Sequence, residues 1–327
     1  MSSRREGPAS VPALADCHVH SEFSWDAPRG AMAESCRQAQ GLGLPGLAFT
    51  DHADYSTLSG GSRLQLDGYQ EALASCRRAF PGLAIMSGVE LGEPHRFPDE
   101  AAALLARGEF DLVLGSVHSV VSDRAEIEFS ELDPSEPGPP PGLVREYFLE
   151  LLRLIDGPVD FEVLAHLEYP KRFWGPSWPR YRSLDYQDEL RQVLAAAARR
   201  GLVLELNTTR GGDPDRVLCP SPAVLRWWRE AGGRRVSLGS DAHDPSTVAG
   251  GFHLAAEAAS AAGFDPSPGR VGIWAASVPA GEGLPIPAGA ELAVSPAAVV
   301  ESRAHNRITK ATTRTSTKTR FPQESGW

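Results

Sequence analysis

Short apolar runs rich in β-branched residues recur from about residue 13 to residue 240, and amphipathic stretches separate them. The runs lie at roughly 13–19, 46–50, 84–91, 112–117, 160–165, 202–206 and 236–240. Their lengths and their flanking Gly, Pro and Asp residues predict buried strands. Between them, 67–79 (DGYQEALASCRRA), 142–156 (GLVREYFLELLRLID) and 221–231 (SPAVLRWWREA) carry apolar residues at helical spacing. Ser221 predicts an N-cap, with Pro222 at the first helical position, where a missing N–H is harmless. The stretch 246–262 predicts a weaker helix, because Gly250 and Gly251 interrupt it. Repeated strand–helix units predict an α/β fold, a parallel sheet with helices outside. Seven of them favour a closed barrel of the TIM-like kind over an open sheet.

Two connections are longer than such units need. Residues 119–141 are acidic and Pro-rich, with Asp123, Glu126, Glu128, Glu131, Asp133 and Glu136. Residues 169–187 are aromatic and basic, with Lys171, Arg172, Arg180, Arg182, Trp174 and Trp178. Connections of this length carry function or are disordered. After about residue 268 the alternation stops, and Pro, Gly, Ala and Thr lead to a basic end that includes Arg303, Arg307, Lys310, Arg314, Lys318 and Arg320. The expected division is a barrel over 1–268 and a low-complexity, partly disordered tail over 269–327.

Composition narrows the class. The 327 residues, 42% hydrophobic and 23% charged, suit a soluble enzyme with a sizeable core. A net charge of −10 disfavours long-range attraction of nucleic acid, while leaving room for a local basic pocket. No stretch approaches the roughly 20 apolar residues of a membrane span, and no apolar segment follows Arg4 and Arg5, as a secretory leader would require. Cys17, Cys36, Cys76 and Cys219 lack CxxC spacing and read as buried thiols in a reducing compartment. The expected location is the cytoplasm.

The histidines carry the chemistry. His18 and His20 end the first run, two apart and so on one face of a strand. His52 follows the second run, His118 the fourth, His166 the fifth and His243 the seventh. Six of the nine histidines thus fall at carboxyl ends of predicted strands; the others are His95, His253 and His305. In a βα-barrel those ends converge on one face, where active sites lie. Glu90 ends the third run, Asp241 the seventh, and Asp26 lies just past His20. Isolated ion pairs and helix caps would not choose one edge so consistently. Imidazoles mixed with carboxylates suit Zn, Mn or Fe ions. There is no GxSxG elbow, P-loop or dinucleotide fingerprint.

The order HxH, TDH, lone Glu, two lone His, then DAH resembles the polymerase-and-histidinol-phosphatase (PHP) superfamily. Within it, the chain is most similar to the PHP-type histidinol phosphatases through Ala165-His166-Leu167-Glu168-Tyr169-Pro170-Lys171-Arg172-Phe173, Leu204-Glu205-Leu206-Asn207-Thr208-Thr209 and Pro220-Ser221-Pro222. The resemblance covers roughly residues 13–260 and implies a distorted seven-stranded barrel with a cluster of two or three metal ions. It implies that His18, His20, Glu90 and Asp241 hold one ion, that Glu90 bridges to a second held by His118 and His166, and that Asp26, His52 and His243 hold a third. Many relatives have a histidine where this chain has Asp26.

The expected chemistry is hydrolysis of a small phosphorylated substrate. Metals lower the pKa of bound water from ~15.7 to roughly 7, making a hydroxide. Phosphate monoesters need accelerations of up to about 10²¹-fold. Glu90, Asp241 and His243 are the expected catalytic groups. Lys171, Arg172, Arg210, His95 and Asn207 are candidate substrate contacts, and Asp51 a residue that orients a ligand. Cys17 is expected in the core, and His253 and His305 on the surface. Histidinol phosphate leads because it carries a phosphate at one end and an ammonium at the other, which the basic and acidic loops could meet. Nucleoside bisphosphates or nucleic-acid 3′ ends are the alternative substrates, and a non-catalytic interaction module the alternative role. The basic end lacks the barrel's alternation, so truncation after about residue 300 should leave thermal stability and phosphatase activity nearly unchanged. A large fall in either would mean that this segment belongs to the folded unit.

Overall fold

The computed structural model describes residues 14–276, apart from 57–63, 123–124, 134, 137–138, 140–141, 177, 210–217 and 268–269. Along the chain the elements are β1 (Asp16–Val19), α1 (Met32–Gly41), β2 (Gly46–Phe49), β3 (His52–Asp54), α2 (Leu66–Ala79), β4 (Ala84–Gly92), α3 (Pro98–Arg107), β5 (Leu112–Ser116), β6 (Ser119–Ser122) and β7 (Ala125–Glu128). They continue with α4 (Leu143–Asp156), β8 (Val163–Leu164), α5 (Gln187–Arg200), β9 (Val203–Asn207), α6 (Pro222–Glu230), β10 (Arg235–Gly239), α7 (Phe252–Ala261), β11 (Phe264–Pro266) and β12 (Ile273–Ala276).

All seven expected strands are present, and they pair in parallel in the order β1-β2-β4-β5-β8-β9-β10. The sheet then continues through β12 and β11, both antiparallel, so it is mixed and curled. Its first and seventh parallel strands meet only at their carboxyl ends. The Val19–Ala242 bridge joins them there, with Asp241 N donating to His18 O and His20 N to Ala242 O, both at 2.8 Å. The expected boundary at residue 268 therefore falls inside the sheet. Ile273 and Trp274 were hidden because two apolar residues between Gly272 and a run of alanines do not make a readable period.

Two apolar layers hold helices against the outer face. Met32, Cys36, Leu73 and Leu104 from α1–α3 pack on Leu47, Phe49, Val89 and Leu91. Tyr147, Leu151, Val193 and Trp228 from α4–α6 pack on Leu164, Leu204 and Leu238. Leu114 opposes Glu90 across the ladder and so shares its face. There Cys17, Ala48, Leu114, Val163, Val203 and Ile273 form a third cluster, which puts Cys17 in the core as expected. Among the described residues no helix is long and apolar enough to cross a membrane.

Helices 67–79, 142–156 and 221–231 appear within a residue or two of their expected ends. Ser221 does precede α6, but its hydroxyl meets Ser183 Oγ at 2.7 Å instead of capping the helix. The weak stretch is helical only from Phe252, because Gly251 takes a left-handed φ of 75° immediately before it. The acidic connection contains the hairpin β6–β7, whose alternation Val120–Val121 is too short to stand out.

Asp16 closes the sheet. Its Oδ1 accepts from Ser240 N at 2.9 Å and His18 N at 3.3 Å, and its Oδ2 from Ser240 Oγ at 2.5 Å and Ala249 N at 2.8 Å. One buried carboxylate thus ties β1 to the segment that follows β10. Asp16→Asn turns an amide N–H₂ toward two of these donors. It should lower the unfolding free energy in urea by about 1–3 kcal/mol, the cost of stranding buried polar groups; an unchanged midpoint and slope would remove Asp16 from this role.

Candidate metal centre

The carboxyl ends of the parallel strands bring nine side chains together. His18 lies in β1 and His20 just beyond it, His52 opens β3, and Glu90 lies in β4 directly across from His52. His118 and His166 follow β5 and β8, and Asp241 and His243 follow β10. His18 Nε2 is 3.0 Å from His20 Nε2 and 2.9 Å from Glu90 Oε2. Glu90 Oε1 faces His166 Nε2 at 2.7 Å and His118 Nε2 at 3.1 Å. His20 Nε2 is 3.3 Å from Asp241 Oδ1, and His243 Nε2 is 2.7 Å from Asp26 Oδ2. Among the described residues five overlapping groups are ligand-competent: His18, His20 and Glu90; Glu90, His118 and His166; His20, Asp26, His52 and His243; His18, His166 and Asp241; and His52, Asp54 and His118.

The donor set fits divalent metal ions. Three of these imidazoles use Nδ1 on a protein partner: His18 on Glu205 Oε1 at 2.6 Å, His20 on Ser24 Oγ at 2.8 Å, and His243 on Asp241 O at 2.9 Å. Each Nε2 lone pair is thereby aimed into the cluster, the outer-sphere pattern of metal-binding histidines. Asp26 Oδ1 is buried with no hydrogen-bond partner, a costly state for a carboxylate oxygen without a cation. Two of the nine residues hold left-handed backbone, His166 at φ 25° and Asp241 at φ 57°. Strain of this kind persists only where surrounding contacts enforce it. Gly239 and Gly92 make room: a Cβ at the first would collide with Glu205 Oε1 and His18 Cβ, and at the second with Asp54 Oδ1.

The cluster opens into a cleft of about 460 Å³. Arg172 lines it, with Nη1 on Asp241 Oδ2 at 2.6 Å. Glu93, Glu128 and Glu131 line it as well, so the acidic connection does face the site.

The PHP domain model matches residues 16–209, more than half of the chain. This chain belongs to the PHP domain family. A histidinol-phosphatase of Lactococcus lactis is 26% identical over 236 residues, covering 70% of this chain and 83% of that protein. A Deinococcus radiodurans protein named "Probable histidinol-phosphatase" is 29% identical over 255 residues, 74% of this chain and 90% of its own. The crystal structure of the L. lactis histidinol phosphate phosphatase, complexed with zinc, L-histidinol and phosphate, superposes with a TM-score of 0.66 at 25% identity, covering 77% of this chain and 95% of that one.

In this PHP chain the other expected site residues divide. Asn207 is buried beside Asp241, its Nδ2 at 3.5 Å from Oδ2. Lys171 turns away instead: its ammonium donates to Leu218 O and lies 3.8 Å from Glu168 Oε2. His95 is also turned away, on Glu150 Oε1 of α4 at 2.8 Å, where buried Glu150 also takes the guanidiniums of Arg96 and Arg153. Arg210 and His305 lie outside the described residues, and His253 is exposed as expected. Asp51 holds Ser21 N and Oγ at 2.6 and 2.7 Å, fixing the backbone after His20 and not an imidazole.

Sequence reasoning passed over Glu205 and Asp54. Glu205 also accepts from His166 N at 2.6 Å, so it braces two candidate ligands. A charged residue inside an otherwise apolar strand was its signal. Asp54 lies two residues beyond His52 in β3, hence on the same face, and comes within 3.5 Å of His52 Nδ1.

Burial pushes the clustered carboxyls up, but the imidazoles outweigh it: His18 and His52 hold Glu90 well below the usual range, and His52 does so for Asp26. Burial pulls His166 and His243 down to about 4, leaving lone pairs at neutral pH. It opposes charge on His118 too, yet Glu90 in contact raises that ring to about 9. Below about pH 9 the metal-free chain thus keeps a proton on His118, and coordination must displace it. Zinc uptake should release protons, and affinity should climb as pH rises from about 6 to about 8. Calorimetry in buffers of different ionisation enthalpy measures both; pH-independent uptake would contradict the ligand set.

Proposed function

We propose that this chain hydrolyses L-histidinol phosphate to L-histidinol and phosphate, as a metal-dependent phosphomonoesterase. The likeness to the zinc-, histidinol- and phosphate-bound L. lactis enzyme carries the proposal, because it extends over 95% of that chain, and this chain has buried His, Asp and Glu groups able to hold metal. In this proposal the seven parallel strands act as one distorted barrel, and His18, His20, Asp26, His52, Glu90, His118, His166, Asp241 and His243 hold two or three ions, with zinc the first choice and Mn or Fe the alternatives. Glu90, Asp241 and His243 are the groups closest to the reacting phosphoryl. The four cysteines are free thiols, which suits a reducing, cytoplasmic setting.

When bound, the cations supply Lewis acidity toward phosphoryl oxygens and lower the pKa of water at the site. The protein's own groups orient the ester. Arg172 offers the cleft a guanidinium held on two sides, by Asp241 and by the Tyr169 ring 5.1 Å away. It can donate to phosphoryl oxygens in a forked pair and offset their charge. Glu128 also lines the cleft, and burial pushes its carboxyl up to about 7. An ammonium beside it would restore the charge and gain a partner, which fits the amino group of histidinol. Phosphate at one end and ammonium at the other fix the ester's register over the cluster, and binding energy from the remote end is spent on orientation.

The metal-loaded protein should favour histidinol phosphate over an aryl phosphate in kcat/KM by at least about 100-fold. Arg172→Ala should weaken both substrates, whereas Glu128→Gln should weaken only histidinol phosphate, chiefly in KM. Faster turnover of nucleoside bisphosphates or oligonucleotide ends than of histidinol phosphate would overturn the substrate assignment.

A further inference from the structure

Three aromatic rings line the cleft among the described residues, and they are not equivalent. Tyr169 is buried, packed 5.0 Å from the His118 ring and 4.9 Å from the His166 ring, with the Arg172 guanidinium over it. Phe173 is half-buried. Trp25 is 51% exposed, an unusual state for so large an apolar ring among the cleft's lining residues.

Its exposure is not looseness. The indole Nε1 donates to Asp54 Oδ2 at 2.8 Å, and Asp54 is itself buried against His52. The backbone beneath is a chain of consecutive turns: Ser24 N to Ser21 O at 3.1 Å, Ala27 N to Ser24 O at 3.3 Å, and Gly30 N to Ala27 O at 2.8 Å. The ring centroid lies 6.3 Å from that of His52, and the next residue is Asp26. One edge of the indole is therefore pinned to the candidate metal cluster while its bulk meets solvent. No other part of Trp25 is needed to fill the core.

We infer that Trp25 is a specificity-determining residue whose indole face takes the flat ring of the leaving alcohol, the Nε1–Asp54 bond holding it in place. The inference rests on the phosphomonoesterase reading above and names the chemistry that selects among esters. An aliphatic ammonium is served by Glu93, Glu128 and Glu131, which also line the cleft, and needs no aromatic wall. A planar π-ring does, and one carrying positive charge gains further from the electron-rich indole face. Imidazole meets both conditions.

Two matched substrate pairs test this with the zinc-loaded full chain: L-histidinol phosphate against O-phosphoethanolamine, and phenyl phosphate against ethyl phosphate. Within each pair the ratio of kcat/KM, ring-bearing over ring-free, should fall about tenfold in Trp25→Ala, the scale of one lost aromatic stack. Trp25→Phe keeps a ring without the N–H donor and should retain most of the ratio. Binding of the product L-histidinol, followed by calorimetry, should weaken in parallel. The second pair carries neither ammonium nor imidazole, so it reports on the ring wall even if histidinol phosphate proves not to be the preferred ester. Unchanged ratios in both pairs, or an equal loss for all four esters accompanied by a fall in zinc content, would show that Trp25 only supports Asp54 and overturn the inference.

Discussion

Glu90 is a carboxylate at 1% exposure, in the middle of a sheet, and the site is organised around what such a charge requires. An uncompensated carboxylate there would cost several kcal/mol or take up a proton. Here both oxygens face imidazole nitrogens, those of His18, His20, His118 and His166, at 2.7–3.4 Å. The compensation is mutual at His118, where burial opposes the charge but the same carboxylate raises the ring to about 9. The electrostatics that let Glu90 stay charged are also those that a cation would complete.

Supporting contacts extend outward from that centre. Glu205 reaches His18 and the backbone of His166, Ser24 takes His20 and the backbone of His52 at 3.0 Å, and Asp16 stitches the first strand to the last parallel one. These bonds are buried, and those accepted by the Glu205 and Asp16 carboxylates are worth more in a low-dielectric interior than the same pairs at the surface. They also explain why left-handed backbone survives at His166 and Asp241: neighbours fix the main chain on both sides of each. Rigid placement of ligand groups within a fraction of an ångström is what such a cluster demands.

The cleft beyond the cluster is polarised. Arg172, held by Asp241, lines it together with Glu93, Glu128, Glu131 and the Asp54-anchored indole of Trp25. The hairpin β6–β7 carries Glu128, and Arg96 ties it down by donating to Glu126 Oε1 at 2.9 Å and Ser119 O at 2.9 Å. A loop built this way presents its acids at a defined height over the site.

The strand–helix alternation, the seven parallel strands and the placement of the nine ligand candidates at one edge were legible in the sequence, because each is a local signal. Strand periodicity is written in neighbouring residues, and a barrel-like sheet sends every carboxyl end to the same face. The hairpin β6–β7 and the strands β11 and β12 were not legible, since their apolar runs are too short to show a period. Nor were the directions of the polar side chains. Lys171 and Arg172 are adjacent and chemically alike, yet one is absorbed by Glu168 and the Leu218 carbonyl while the other meets Asp241. His95 was a candidate substrate contact, but Glu150, far away in the chain, holds it instead. The sequence by itself determined which groups could hold metal and at which end of the sheet they would lie. Only the tertiary structure decided which charges met there, because each buried charge pairs with whatever partner the packing brings nearest, and that partner is set by chain crossings no local pattern encodes.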